Sequence, residues 1–294
     1  MGNTAPIAYG GYALVFGIHA AYQAALDGFH LYSALGHYLH AANTEEKLVC
    51  TPVQLRSTKS LATFRVTVKQ KVPSSGLLRS CVELQVDFHK FEKSVLYHSA
   101  FPTRNYTHWK YCLPMDELCE QRAKSATISD DQLTTFNKLF GLSKNFYEGR
   151  LCLEGVTSQN VLGVTKNVLL DQDHLHPTQR TSGDWVRVKH PLGTEGERLA
   201  SLAFIMDGIL SFLPLCHNHL FFEDVGACSS LDFALRVFVP LPQLNEWHLR
   251  EAINHHAGSG RSYSGSNLWD EEGNLIASMT QQCILRMPDV AARI

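Results

Sequence analysis

The chain has 294 residues, of which 45% are hydrophobic and 18% are charged, and its formal net charge is −2. These values fit a soluble protein with a large interior and argue against a nucleic-acid-binding surface, which needs clustered Lys and Arg. No apolar run reaches the roughly 20 residues of a membrane-spanning helix, and eight cysteines without a Cys-x-x-Cys motif are typical of reduced, buried thiols in an intracellular protein.

The first predicted helix covers residues 11–27, which are rich in Ala, free of proline and apolar at three- and four-residue spacing. It begins at Gly10 and Gly11, which allow a close backbone approach that bulkier residues forbid. Beyond Gly28 the pattern changes to alternation of polar and apolar residues, with many β-branched and aromatic side chains. This alternation predicts four strands, at residues 30–41, 47–57, 61–71 and 78–91.

The pattern weakens from about Ser94 to Asn167, which predicts a connecting region. One helix is expected at residues 130–140, where two aspartates favour the helix start. At residues 151–156 and 167–170 both strand and loop stay open. Residues 184–189 alternate between polar and apolar and predict a further strand.

A second apolar helix is predicted at residues 199–213, and it carries one carboxylate, Asp207, among apolar neighbours. A buried acid is costly unless it has partners. Four strands are expected to follow, with a hairpin turn at residues 270–274. They are Ser230–Val239, Glu246–Asn254, Arg261–Trp269 and Leu275–Arg286.

One helix followed by four antiparallel strands therefore occurs twice, at residues 11–92 and 199–286, which indicates an internal repeat. Only the second copy carries the acid among apolar helix residues, since the first has no carboxylate until Asp27. At the matching place the first helix has Ile18-His19-Ala20, so one site per chain is expected, in the C-terminal half.

Short motifs recur in a fixed order along both repeats. The first repeat contains Tyr9-Gly10-Gly11, Phe64-Arg65-Val66 and Val86-Asp87-Phe88-His89, and the second contains Ile205-Met206-Asp207, Ser230-Leu231-Asp232, Asn245-Glu246-Trp247 and the run at 278–286. In this order the motifs resemble the acyl-CoA thioesterase II family, the TesB-like double-hotdog thioesterases. The resemblance covers most of the chain.

The repeat and the resemblance together imply an α+β fold, a double hotdog in which two helix-plus-antiparallel-sheet repeats form one continuous sheet. We expect an N-terminal hotdog at residues 1–100, a linker with connecting segments at 101–180, and a C-terminal hotdog at 181–294. The C-terminal hotdog is expected to carry the catalytic residues.

The resemblance also implies hydrolysis of acyl-CoA or a related acyl thioester by a water that Asp207, Ser230 and Gln281 orient. A carboxylate in an apolar helix has a raised pKa and can act as a base, while Ser and Gln each offer a donor and an acceptor. The backbone N–H groups at Gly10 and Gly11 are expected to bind the substrate carbonyl. Arg261 is expected to contact a CoA phosphate, and an Arg side chain in solvent is the alternative.

Structural roles for the same residues stay open at this point. Asp207 could be a capping or packing partner, Ser230 could simply begin a strand, and Gln281 could face solvent. Gln282 would point to the opposite face from Gln281, so only one of the two can serve.

Two other functions remain as alternatives: a natural-product tailoring enzyme that uses the same fold on a polyketide-like substrate, and a non-catalytic acyl-ligand-binding protein. Paired histidines do not complete a recognised metal-ligand spacing, so neither a metal nor a cofactor is expected. A homo-oligomer is an open expectation. We expect a cytoplasmic protein, with the peroxisome as the alternative because Ala292-Arg293-Ile294 has a small-basic-aliphatic form.

Overall fold

The computed structural model describes residues 7–124 and 128–288, without the side chains of residues 123 and 142. The C-terminal tripeptide Ala292-Arg293-Ile294, on which the peroxisomal alternative depends, lies outside the described residues.

Six α-helices and eleven strands are formed by the described residues. The helices are α1 (Gly10–Ala24), α2 (Met115–Lys124), α3 (Asp130–Phe140), α4 (Val156–Gln159), α5 (Glu195–Asp207) and α6 (Leu213–Cys216). The strands of the first half are β1 (Phe29–Tyr38), β2 (Leu48–Ser57), β3 (Leu61–Lys71) and β4 (Leu78–Lys90). The later strands are β5 (Tyr147–Leu151), β6 (Thr181–Val188), β7 (Ala227–Ser230), β8 (Asp232–Val237), β9 (His248–Gly258), β10 (Arg261–Asp270) and β11 (Leu275–Arg286).

All eleven strands belong to one sheet, in the order β2-β3-β4-β1-β8-β11-β10-β9-β6-β5, with β7 paired to β11 beside this path. The two repeats meet where residues 33–37 of β1 pair antiparallel with residues 232–236 of β8. The predicted α+β double hotdog with one continuous sheet is therefore confirmed.

The four strands of the first repeat lie within three residues of their predicted bounds, because alternation marks a half-buried strand clearly. Helix α1 ends at Ala24 rather than at residue 27, and a turn at Gly28, with a φ of 77°, leads into β1. Pro52 lies inside β2, which is the edge strand of the sheet, where a missing N–H is tolerated.

The predicted bounds of the second helix are wrong. The helix spans Glu195–Asp207 instead of residues 199–213, because a capping box starts it early: Thr194 Oγ1 accepts from the Glu197 N–H at 3.2 Å, and Glu197 accepts from the Thr194 N–H at 2.9 Å. Asp207 is thus the last residue of α5 and not an interior one.

The predicted strand at residues 230–239 is also wrong, because it is broken into β7 and β8. Leu231 separates them, and its N–H donates to the Gln282 carbonyl at 2.8 Å. The Asp232 carboxylate then accepts from the Gln282 N–H at 3.0 Å. Ser230 consequently ends one strand rather than beginning another.

The helices α1 and α5 pack antiparallel on one face of the sheet. Gly11 of α1 lies against Asp207 at the end of α5, and Tyr22 of α1 lies against Gly196 at its start. The main hydrophobic core forms between these helices and the sheet, and it contains fully buried side chains from both repeats, such as Leu14 and Met206.

The connecting region has structure of its own. The helix predicted at residues 130–140 is confirmed, and α2, α3 and nearby loops enclose a second hydrophobic cluster around Phe136. Of the two segments left open, 167–170 is not a strand, and in 151–156 only Leu151 belongs to one, as the last residue of β5, which joins the sheet beside β6. None of the described helices is long and apolar enough to cross a membrane.

Candidate active site

Asp207, Ser230 and Gln281 form one hydrogen-bonded chain. The Gln281 amide Nε2 donates to Asp207 Oδ1, and Ser230 Oγ donates to Gln281 Oε1 at 3.2 Å. Asp207 is 5% exposed and Gln281 is completely buried, whereas Ser230 is half-buried. The structure thus brings together the three residues that the sequence singles out from separate places in the chain.

Three elements of the second repeat present these side chains. Asp207 ends α5, Gln281 lies on the helix-facing side of β11, and Ser230 is the last residue of β7, directly opposite Cys283 in the β7–β11 ladder. The neighbouring Gln282 points to the other face of the sheet, where it is exposed and donates to Asp232 at 3.3 Å. The alternation of the strand therefore selects Gln281.

The first repeat contributes the start of α1. A Cβ atom on Gly10 would lie 3.2 Å from Asp207 Oδ2, and one on Gly11 would lie 3.2 Å from Asp207 Cβ. Only a residue without a side chain lets the backbone approach the carboxylate this closely. The positive end of the α1 dipole therefore faces Asp207, and the Gly11 N–H donates to its carboxylate.

Two tyrosines of the first repeat also reach the carboxylate, and neither was predicted as a site residue. The Tyr38 hydroxyl donates to Asp207 Oδ1 at 2.7 Å. The Tyr9 hydroxyl donates to the Phe204 carbonyl at 3.1 Å and lies close enough to Asp207 to influence its charge. Tyr9 could have been noticed because it directly precedes the glycine pair. Tyr38 could not, because nothing in the sequence indicates that the end of β1 lies beside the end of α5.

Burial raises the pKa of Asp207 above its ordinary value. The donors of Tyr38, Gln281 and the Gly11 backbone, together with the nearby Tyr9 hydroxyl, oppose this effect because they stabilise the ionised form, but burial is the larger influence. Burial of Tyr9 and Tyr38, and after it the charge of Asp207, raises the pKa of both hydroxyls. A raised pKa makes this carboxylate a better proton acceptor than an exposed one.

A buried ion pair supports the end of α5. Arg250 on β9 donates through Nε and Nη2 to the two Asp184 oxygens, at 3.0 and 2.9 Å, and through Nη1 to the Ile205 carbonyl at 2.5 Å. The cation therefore caps the helix at its negative end. Just beyond Asp207, Ile209 has a φ of 78°, a region that β-branched residues rarely adopt.

Arg261 lies apart from this group. It is exposed at the start of β10, opposite Ile284, whereas Gln281 pairs with Ser264 three residues along the strand. Three residues correspond to about 10 Å and to the opposite face of the sheet. The structure therefore does not group Arg261 with Asp207.

Neither of two surface cavities, of about 330 and 370 Å³, includes Asp207, Ser230 or Gln281 among its lining residues. Among residues 7–124 and 128–288, no group of three or more His, Cys, Asp or Glu side chains is arranged to hold a metal ion. The neighbours of the Asp207 carboxylate are hydroxyl, amide and backbone N–H groups.

Comparison with known families and structures gives consistent matches over most of the chain. A model described as the acyl-CoA thioesterase N-terminal domain matches residues 1–89, and one described as the acyl-CoA thioesterase C-terminal domain matches residues 154–285. A comparison with curated protein sequences finds no match.

Three solved structures illustrate the shared fold. A tesB protein from Mycobacterium avium subsp. paratuberculosis is 13% identical, with 97% of this chain and 90% of that chain covered and a TM-score of 0.69. An acyl-CoA thioesterase II from Mycobacterium marinum is 17% identical, with 95% and 89% covered and a TM-score of 0.67. A conserved protein of unknown function with a hot dog fold from Alicyclobacillus acidocaldarius is 14% identical, with 96% and 89% covered and a TM-score of 0.67.

Proposed function

The chain belongs to the acyl-CoA thioesterase family of thioester hydrolases, and we propose that it cleaves acyl-CoA, or a related acyl thioester, at Asp207. The observation that carries this proposal is the hydrogen-bonded chain from Ser230 through Gln281 to Asp207, which ends beside the start of α1. A carboxylate, an oriented amide and the positive end of a helix dipole are suited to direct hydrolysis by water.

Asp207 acts as the base. Tyr38 and Gln281 both donate to Oδ1, so Oδ2, the oxygen that faces Gly10, is the one that takes a proton from water. The hydroxide equivalent adds to the thioester carbonyl carbon as the proton moves to Asp207. Burial favours this step because it raises the pKa of the acid that forms.

Gln281 and Ser230 position the reacting groups. Ser230 fixes the amide of Gln281 so that its Nε2 faces Asp207, and the Ser230 oxygen keeps lone pairs that can accept from the attacking water. Held in this way, the water meets the carbonyl carbon without a large loss of entropy in the transition state.

The start of α1 stabilises the negative charge that develops on the carbonyl oxygen, through the positive end of its dipole and the N–H group at Gly10. The tetrahedral intermediate then collapses, the carbon–sulfur bond breaks, and Asp207 returns its proton to the departing thiolate. An ordinary thiol has a pKa of about 8.5 and leaves readily, so no covalent acyl-enzyme is needed. The products are a carboxylic acid and a free thiol.

The test is release of free thiol from a panel of acyl-CoA substrates of increasing chain length, followed with a thiol-reactive dye. Turnover that disappears in Asp207→Asn supports the proposal. Tight acyl-CoA binding without thiol release would identify an acyl-ligand-binding protein. Absence of both binding and turnover would favour a tailoring enzyme with another substrate.

A further inference from the structure

Two buried cysteines from distant parts of the chain lie together in the hydrophobic cluster around Trp185 and Trp247. Cys112 ends the short turn that begins at Trp109, and Cys152 directly follows β5. The Cys112 Sγ lies 3.4 Å from the Thr107 carbonyl oxygen, and the Cys152 Sγ lies 4.0 Å from the same oxygen. Both thiols are free, and both point to one acceptor.

The backbone places the two cysteines opposite each other. Pro114 and Arg150 form an isolated antiparallel bridge, and the same register continued by two residues pairs Cys112 with Cys152. The Arg150 guanidinium also donates from Nη1 to the Cys112 carbonyl at 3.2 Å, which holds the two segments together. Opposite residues of an antiparallel pair have Cα atoms about 4.5–5.5 Å apart. This spacing lies inside the range of roughly 4.4–6.8 Å that a disulfide spans.

The two thiols differ in acidity. The Cys152 thiol lies close enough to stabilise a negative charge on Cys112 and is the largest influence that lowers the pKa of Cys112. The neighbouring Cys112, and after it burial, raises the pKa of Cys152. Among the eight cysteines, all of which the structure describes, only Cys112 has a lowered pKa. The thiolate is the reactive form of cysteine, so Cys112 is the thiol that reacts first.

The segment that carries Cys112 lies at the surface. Tyr111 is 80% exposed and Leu113 is 37% exposed, while the Cys112 side chain between them is 3% exposed. One short turn holds it in place, in which the Cys112 N–H donates to the Trp109 carbonyl at 3.1 Å. Surface turns of this kind open locally at a much lower free energy than the whole fold. A small oxidant therefore reaches Cys112 without global unfolding.

We propose that Cys112 and Cys152 are a modification site, at which a hydroperoxide oxidises the pair to a disulfide. The Cys112 thiolate attacks the O–O bond, takes one oxygen as a sulfenic acid and releases hydroxide or an alkoxide. The Cys152 thiol then attacks the sulfenic sulfur, and its proton leaves with the hydroxyl group as water. Two electrons pass from the sulfurs to the peroxide, and a thiol reductant reverses the bond.

The disulfide would close a loop that contains residues 113–151, and with them α2 and α3. These helices enclose the second hydrophobic cluster around Phe136, and β5 is an edge strand of the sheet. The bond therefore fastens the two helices to the sheet edge. Closing a loop reduces the entropy of the unfolded chain, so the oxidised protein is the more stable form. The inference is independent of the proposed hydrolysis, because it concerns thiols and thermal stability and not turnover.

The experiment treats the full chain with hydrogen peroxide, blocks the remaining thiols and maps cross-linked peptides by mass spectrometry. Wild type is expected to lose two of its eight thiols and to give one peptide pair that joins Cys112 to Cys152. Its thermal midpoint is expected to rise by roughly 5–10 °C and to return after reduction with dithiothreitol.

Three variants separate the roles of the thiols. Cys152→Ser keeps the reactive thiol without its partner and is expected to accumulate a sulfenic acid at Cys112, which dimedone labels. Cys112→Ser is expected to form neither the bond nor the label. The matched control is Cys119→Ser, which removes another buried thiol of the same connecting region and is expected to form the bond like wild type.

The mapping of wild type needs no variant, so it tests the proposal even where a serine variant fails to fold. Eight thiols left intact at a peroxide concentration that oxidises glutathione in the same solution would overturn the proposal. So would a disulfide that joins a different pair of cysteines, or a Cys112–Cys152 bond that lowers the thermal midpoint.

Discussion

The two ends of the α1–α5 pair have the same backbone arrangement and different chemistry. At one end, the last residue of α5, Asp207, lies against Gly11 of α1; at the other end, Tyr22 of α1 lies against Gly196 of α5. The first end gathers a buried acid with an amide and hydroxyls. At the second, the nearest acid is Glu195, which accepts from Tyr22 and lies 2.7 Å from His30 near the surface.

The strands below the helices differ in the same way. The helix-facing residues of β4 are Val82, Leu84, Val86 and Phe88, all buried and apolar. Those of β11 are Ala277, Met279, Gln281 and Cys283, so one strongly polar side chain interrupts the row. The comparison teaches that a repeat needs few polar substitutions to change from a packed core into a candidate catalytic centre.

The largest expected effect comes from removing the acid. Asp207→Asn should lower kcat for thioester hydrolysis by about 10²–10⁴-fold, because no other base faces the start of α1 among the described residues. The thermal midpoint should not fall at neutral pH, because an amide is easier to bury than a charge. Tyr22→Phe, at the mirror position, is the control and should change kcat less than twofold. Equal losses in both variants would break the distinction between the two ends.

The amide should matter next. Gln281→Leu removes the donor to Asp207 and the acceptor for Ser230, and we expect a loss of about 100-fold in kcat, typical of a lost active-site hydrogen bond. Gln282→Leu changes the neighbouring residue on the opposite face of β11 and should leave kcat nearly unchanged. Thiol release is measured on both variants. Equal losses would mean that hydrolysis depends on the integrity of β11 and not on the Gln281 amide.

The hydroxyl should have a smaller effect. Ser230→Ala removes one neutral hydrogen bond, worth about 0.5–1.5 kcal/mol, which corresponds to a loss of roughly 2–10-fold in kcat. The exposed neighbour provides the control, since Ser229→Ala should behave like wild type. If both serine variants retain full activity, Ser230 takes no part in positioning Gln281.

The smallest expected effect is a change in pH dependence. Because burial raises the pKa of Asp207, the rate should rise with pH along an acid limb that lies above the ordinary carboxyl pKa of about 3.9. Tyr38 lowers that pKa by donating to the ionised form, so Tyr38→Phe should move the limb to higher pH. Tyr12→Phe is the control and should leave the acid limb in place. The measurement is a pH–rate profile for each variant, and an unchanged limb in Tyr38→Phe would contradict the prediction.

The same ionisation should appear in stability. The folded pKa of Asp207 lies above its unfolded value, so its stabilising contribution is complete below the unfolded pKa and is lost as pH rises through the folded one. Unfolding free energies of wild type should fall over that window relative to Asp207→Asn. A difference of the opposite sign would mean that hydrogen bonding outweighs burial at this carboxylate.

Much of the architecture could be predicted because both repeats show strand alternation and helical three- and four-residue spacing in their sequences. Alternation located the first four strands and β11, and the recurrence of helix and strands indicated the double hotdog. The errors lie where local chemistry overrides periodicity. The Thr194–Glu197 capping box starts α5 early, and Leu231 separates β7 from β8. The match to Asp207 in α1 is Tyr22 rather than Ile18-His19-Ala20, because antiparallel packing sets the correspondence.

The candidate site was only partly predictable. Asp207, Ser230 and Gln281 stand out through their motifs, but Tyr38 reaches Asp207 only because β1 pairs with β8 in the finished sheet. The Arg250–Asp184 pair likewise depends on β9 lying beside β6. Such contacts join residues far apart in sequence, and no local pattern records them. The pairing order of the sheet is what creates them.

The contact between Asp207 and the start of α1 also bears on how the two halves can change over generations. In a duplicated protein, the half that carries no acid would ordinarily be free to accumulate substitutions. Here its glycine pair and its Tyr38 touch the acid of the other half. A substitution that shifts α1 also changes the surroundings of Asp207. Selection on the acid in the second half therefore also constrains the structure of the first half.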